Sequence, residues 1–111
     1  MHEDPFTIGQ TYRIVTPLRP SGIEQFCAVY LGINQAYREF VQRNPDHPDW
    51  AVVHRLTDLT TNGKDIGPRF GSEKRAQVFS TTQKFGAFGY TAETAREKAK
   101  TLLSILEKAG L

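Results

Sequence analysis

The closing stretch TAETAREKAKTLLSILEKAGL (91–111) constrains the fold more than any other part of the chain. Ala92, Ala95, Ala99, Leu102, Leu103, Leu106 and Ala109 recur at helical spacing and form one apolar stripe on a helix over 91–109. Thr91 can cap its start, Glu93 and Lys108 suit the two ends of the helix dipole, and Gly110 stands where a left-handed residue closes a helix. The alanines let a sheet come close at the N-terminal end, and the leucines need a deeper pocket at the other. The stripe reads as a core face rather than a partner-binding face, because a chain this short has little else to cover its sheet.

WAVVHRLTDLT (50–60) alternates as a strand, with Trp50, Val52, His54 and Leu56 on one side and Ala51, Val53, Arg55 and Thr57 on the other. Asn62-Gly63 follows, a strong hairpin signal because both residues tolerate positive φ. A return strand is expected from about Lys64 to Phe70, and Pro68, which lacks a ladder donor, places it at an edge. TYRIVTPL (11–18) reads as another strand, Pro20-Ser21-Gly22 as a turn, and 24–31 as the strand that closes a hairpin. A rival remains. Ser21 and Glu24 fit a capping box, and Ile23, Phe26, Cys27, Tyr30 and Leu31 recur at helical spacing. The hairpin is preferred because FCAVYL is rich in strand formers and Gly32 stands where a strand would stop.

NQAYREFVQR (34–43) reads as a short central helix capped by Asn34, with Tyr37, Phe40 and Val41 on one face and Asn44-Pro45 as its end. Residues 72–84 are open between a helix capped by Ser72 and a strand through AQVFSTT; the helix is preferred because FGSEKRA echoes the helix start FGYTAETA. The expected fold is therefore α+β. One domain over 10–111 follows a flexible arm (1–9), and an antiparallel sheet of about four strands carries the 34–43 and 91–109 helices on one face.

Composition narrows the function classes. Hydrophobic residues at 39% and charged residues at 23% describe a folding chain. Cys27 is the single cysteine, so an internal disulfide is excluded, and within FCAVYLG it reads as a buried, inert thiol. MHEDPFTIGQ lacks a basic region followed by an apolar one, and no run approaches the ~18 apolar residues of a membrane span. A cytoplasmic address with no membrane partner is the expectation. Residues 1–63 hold 5 basic and 7 acidic groups, a balance of −2, whereas 64–111 hold 9 and 5, a balance of +4.

That basic half contains the candidate binding residues. Arg69, Lys74, Arg75 and Lys84 interleave with Phe70, Phe79, Phe85, Phe88 and Tyr90. Cations for phosphates and flat rings for bases are what nucleic-acid binders require. The same pattern also describes core phenylalanines beneath a solvated basic face. Within it, FGAFGY (85–90) places two glycines before a helix start, but no P-loop lysine follows and the spacing is not G-x-G-x-x-G. It reads as a helix C-cap at Gly86 and a joint at Gly89. GYTAETAREKA (89–99) resembles the last helix of double-stranded-RNA-binding domains in its hydroxyl cap and alanines. Ala92 and Glu93 stand where that family places phosphate-clamping lysines, so the resemblance, over about twenty residues, lacks the functional ones.

Asp46, His47, Asp49 and His54 form the one cluster with metal-ligand chemistry, without cysteine, HExxH or EF-hand spacing. It reads as a solvated acidic loop beside a strand. No cofactor is implied, and no G-x-S-x-G nucleophile is present. Three classes follow: a non-catalytic nucleic-acid-associated module using 69–90, a protein-interaction module using a sheet edge, and a small-ligand or metal-dependent enzyme built on 46–54.

Overall fold

The structure is a computed structural model and describes residues 4–17, 23–61, 63, 65–69, 74–84 and 86–111. These hold seven strands and one helix: β1 (Thr11–Pro17), β2 (Ile23–Asn34), β3 (Tyr37–Arg43), β4 (Trp50–Leu56), β5 (Leu59–Thr61), β6 (Asp65–Pro68), β7 (Lys74–Ser80) and α1 (Ala92–Lys108). The strands form one sheet in the order β5-β6-β1-β2-β3-β4-β7. It is mixed, because β6 runs parallel to β1 while the other pairs are antiparallel.

This overturns the expected four-stranded antiparallel sheet with a central helix. Residues 37–43 are strand β3, paired with β2 on one side and β4 on the other. Phe40 and Val41, which a helix would hold on one face, are both fully buried because they point into cores on opposite faces of the sheet. Long-range pairing outweighs the local helical spacing. The β2–β3 turn is tight, with Gln35 in the left-handed region (φ 58) between the paired residues Asn34 and Tyr37. Residues 74–80 are likewise strand, and Ser72 lies outside the described residues.

The β1–β2 hairpin forms in the register Ile14↔Phe26, so 23–34 is strand rather than helix. Its turn (18–22) lies outside the described residues. Gly32 does not end the strand: the register shifts between Tyr30 and Gly32, and Gly32 takes φ 113 in that irregularity. The β5–β6 hairpin also forms, but Thr61 pairs with Ile66, so its loop is wider than a two-residue turn. Pro68 does not mark an edge strand. β6 lies between β5 and β1, and Pro68 sits beyond the last β1 partner, where no donor is required.

Curvature follows from connectivity. Strands β4 and β5 are separated by only Thr57 and Asp58, so Leu56 and Leu59 lie within about 11 Å. In a flat sheet their five strand spacings would hold them about 24 Å apart. The six strands from β5 to β4 must therefore curl back on themselves, with Asp58 at φ 49 forming the corner. Ile14, Phe26, Ala28, Tyr30, Phe40, Leu56 and Ile66 fill the inside of the curl, with Leu59 packed against them. On the outside, Val29, Val41, Ala51, Val53 and Phe79 receive Ala95, Ala99, Leu102 and Leu106 of α1. The helix begins at the Thr91 cap, whose Oγ1 accepts from the Thr94 N–H at 3.2 Å, and ends before Gly110 at φ 77. It packs on β3, β4 and β7. Cys27 on β2 lies clear of that cover, so the thiol is exposed rather than buried.

Within the segment expected as an arm, Phe6 is buried against Tyr12, Tyr30 and Phe40 at centroid distances of 5.4, 5.6 and 5.9 Å. The Asp4 carboxylate accepts from the Tyr30 hydroxyl, from the Phe6 N–H at 3.1 Å and from Arg38 Nε at 3.3 Å. Burial alone raises the Asp4 carboxyl, but these three donors outweigh it and hold the group below its ordinary value. Burial, together with the neighbouring Asp4 carboxylate, pushes the Tyr30 hydroxyl up to about 12.

Two outcomes follow from this packing. Phe40→Ala should cost about 3–5 kcal/mol in urea unfolding, the range for emptying a close-packed aromatic site. The depressed Asp4 pKa contributes stability that is present above about pH 3.8 and lost as pH falls through the folded value. The raised Tyr30 pKa contributes stability that is present below about pH 10 and lost as pH rises through about 12. Unfolding free energy measured against pH should fall on both limbs. Asp4→Asn should flatten the acid limb, and Tyr30→Phe should flatten the alkaline one while costing about 1.5–3 kcal/mol near neutrality.

Candidate binding surface at the edge strand

Strand β7 pairs with β4 on one side and with no strand on the other among the described residues. Its alternation places Arg75, Gln77 and Phe79 on the helix side, opposite Arg55, Val53 and Ala51. After β7 the chain is fastened at each step. Ser80 Oγ accepts from the N–H groups of Thr82 and Gln83 at 3.0 and 3.2 Å, and Thr82 Oγ1 donates to Asp49 at 2.7 Å. Arg96 Nε donates to the Gln83 carbonyl at 3.2 Å.

The glycines of FGAFGY serve a turn. The Tyr90 N–H donates to the Ala87 carbonyl at 2.9 Å, with Gly89 at φ 81. A Cβ on Gly86 would meet the Tyr90 carbonyl oxygen at 2.4 Å, so this position excludes a side chain. Strand β7 is the element before it among the described residues, so Gly86 is not a helix C-cap. Gln77 Nε2 donates to the Phe88 carbonyl at 3.4 Å, and the Tyr90 ring stands edge-on to buried Phe79 at 5.1 Å. The turn therefore lies along the helix side of β7 and carries Phe88 outward, 88% exposed, with Tyr90 41% exposed.

Of the residues the sequence nominates, Phe88 and Tyr90 are thus exposed rings on one turn, and Arg75 lies on β7 two residues from the Gln77 that holds it. Lys84 is exposed beyond the far end of β7. Lys74 begins the strand, about 20 Å from Ser80 at its end, and its side chain lies outside the described residues. Arg69 follows β6, where its N–H donates to the Asp58 carbonyl at 2.8 Å. Phe70 and Phe85 lie outside the described residues, and Phe79 belongs to the core.

The 46–54 cluster is dispersed. His47 stacks on Trp50 at 3.9 Å, and Asp49 accepts from Thr82. His54 is buried inside the curl, stacked on Phe26 at 4.3 Å with Nε2 2.8 Å from Gln42 Oε1. No group of three or more metal-ligating side chains occurs among the described residues.

A cleft of about 240 Å³ opens between α1 and the sheet beside Tyr90. Val53 and Phe79 line it from the sheet, Leu102 and Ile105 from the helix, and Glu39, Gln77 and Lys98 supply polar groups. Glu39 is held by Arg55 across the β3–β4 register at 3.3 Å, and Arg55 lies over the Tyr37 ring at 4.7 Å. Sequence reasoning missed Glu39 and Gln77 because 34–43 reads as a helix and 72–84 stays open with the helix preferred. Comparison with protein-family models, with curated proteins and with solved structures finds no match to this chain.

Proposed function

We propose that the chain is a small non-catalytic binding module that takes single-stranded nucleic acid along the β7 edge, with Phe88 and Tyr90 as stacking rings and Arg75 and Lys84 as phosphate contacts. The observation that carries this reading is the exposure of Phe88 on a turn pinned through its own carbonyl. An exposed ring on such a turn is a platform for a base, worth about 1–3 kcal/mol per stacked base. Lys74 and Arg69 extend the same basic segment, and Phe85 belongs to it by sequence. An address inside the cell is part of the proposal. No helix among the described residues is long and apolar enough to cross a membrane.

A second reading rests on the outer edge of β7. Such an edge can add a strand from a partner protein, and basic residues along it are also a common guard against unwanted pairing. Salt separates the two. Oligonucleotide affinity driven by phosphate contacts falls steeply between 50 and 200 mM salt, whereas strand addition changes little.

The test is fluorescence anisotropy with labelled single- and double-stranded oligonucleotides at those two salt concentrations. Phe88→Ala should weaken single-strand binding roughly 5- to 150-fold without lowering stability, since the ring is exposed. Lys74→Ala/Arg75→Ala should weaken it further and reduce the salt slope. No binding at 50 mM salt would remove the nucleic-acid reading and leave the β7 edge as a protein-binding strand.

A further inference from the structure

We propose that the cleft between α1 and the sheet is a pocket for one unstacked base, and that the base is guanine; this deepens the single-strand reading of the adjoining surface and rests on it. At about 240 Å³ the cleft is slightly smaller than pockets for drug-sized ligands. That suits a planar heterocycle rather than a whole nucleotide. Leu31, Tyr90 and Ile105 offer the accessible apolar surfaces against which a flipped base is held, over a floor of buried Val53 and Phe79.

The polar groups select among bases. The Glu39 carboxylate accepts and cannot donate. Arg55 Nε stands 3.3 Å from one of its oxygens as an ion pair, which leaves acceptor capacity toward the cleft. Guanine presents its ring N1–H and its 2-amino group side by side, two donors for one carboxylate. Adenine and cytosine offer an amino group beside a bare ring acceptor. Thymine and uracil flank their one N–H with carbonyls that a carboxylate repels. Lys98, contributed by the helix, supplies a cation for the phosphate attached to the bound base. Gln77 lines the cleft and also holds the Phe88 carbonyl, so the pocket adjoins the stacking turn. A strand with one base on Phe88 can place a neighbour in the cleft.

The experiment is calorimetric titration of the full chain with 5′-GMP, 5′-IMP and 5′-AMP, beside anisotropy with an oligo(dT) strand. IMP differs from GMP only in lacking the 2-amino group. GMP should bind at least tenfold more tightly than IMP or AMP, the scale of one bidentate base contact. Glu39→Gln should erase that difference. Ile105→Trp, which fills the cleft, should abolish GMP binding and spare oligo(dT). If the tryptophan variant does not fold by circular dichroism, the Glu39→Gln comparison decides alone. Equal affinity for GMP and IMP, or no GMP binding at millimolar concentration, overturns the pocket. If oligo(dT) still binds in that case, the β7 surface stands without it. If GMP binds as expected while oligo(dT) does not, the stacking surface fails rather than the pocket.

Discussion

Two residues, Thr57 and Asp58, set the shape of this protein. They join strands that stand five places apart in the sheet, and no extended dipeptide spans that distance across a flat sheet. The sheet has to curl, and the rest follows. An inside forms, lined by one alternate set of side chains from β1, β2, β3, β4 and β6. An outside forms, where the other set needs a separate cover, and α1 provides it. Tyr30 and Val29, or Phe40 and Val41, are neighbours in sequence that serve different cores. One sheet thus carries two apolar clusters, one on each face.

The same geometry explains what could be read from the residues alone. The C-terminal helix was legible in full, because its stripe, its cap and its closing glycine are local. So was β1. Residues 24–31 read as strand in preference to a helix, but β2 runs on past Gly32 to Asn34. The strand read over 50–60 ends at Leu56, with Leu59–Thr61 a separate strand. Residues 34–43 were not legible, because a strand buried on both faces loses its alternation. Phe40 next to Val41 imitates a helical face once the partners on either side are unknown. β7 was ambiguous for a related reason. Its apolar positions are few and Ala76 is exposed, so one-sided burial by α1 left little pattern. Pro68 misled because an interior strand can carry a proline where its ladder to the neighbouring strand has already ended. Cys27 misled because α1 covers only part of the outer face.

Candidate site residues divide along similar lines. Phe88 and Tyr90 were visible as rings beside glycines, and the glycines explain their exposure through the turn they permit. Glu39 and Gln77 were invisible as a pair. They lie far apart in sequence, and only the β3–β4–β7 register brings both to one cleft. The histidines showed the reverse. Close in sequence, His47 and His54 are separated in space by the strand that carries His54 into the interior.

The parallel pairing of β1 with β6 has a consequence for how the chain reaches this state. Arg13 meets Asp65 across 52 residues, through both a strand register and a 2.9 Å ion pair. Hairpins β1–β2, β2–β3 and β3–β4 close over short loops and can form early, each at small entropic cost. The β1–β6 ladder cannot, because the curl that brings its halves together exists only after the meander has formed. Closure is therefore the late event. During synthesis the interior stays open to water until β6 has emerged, and the outer face stays bare until the last turn of α1 is made.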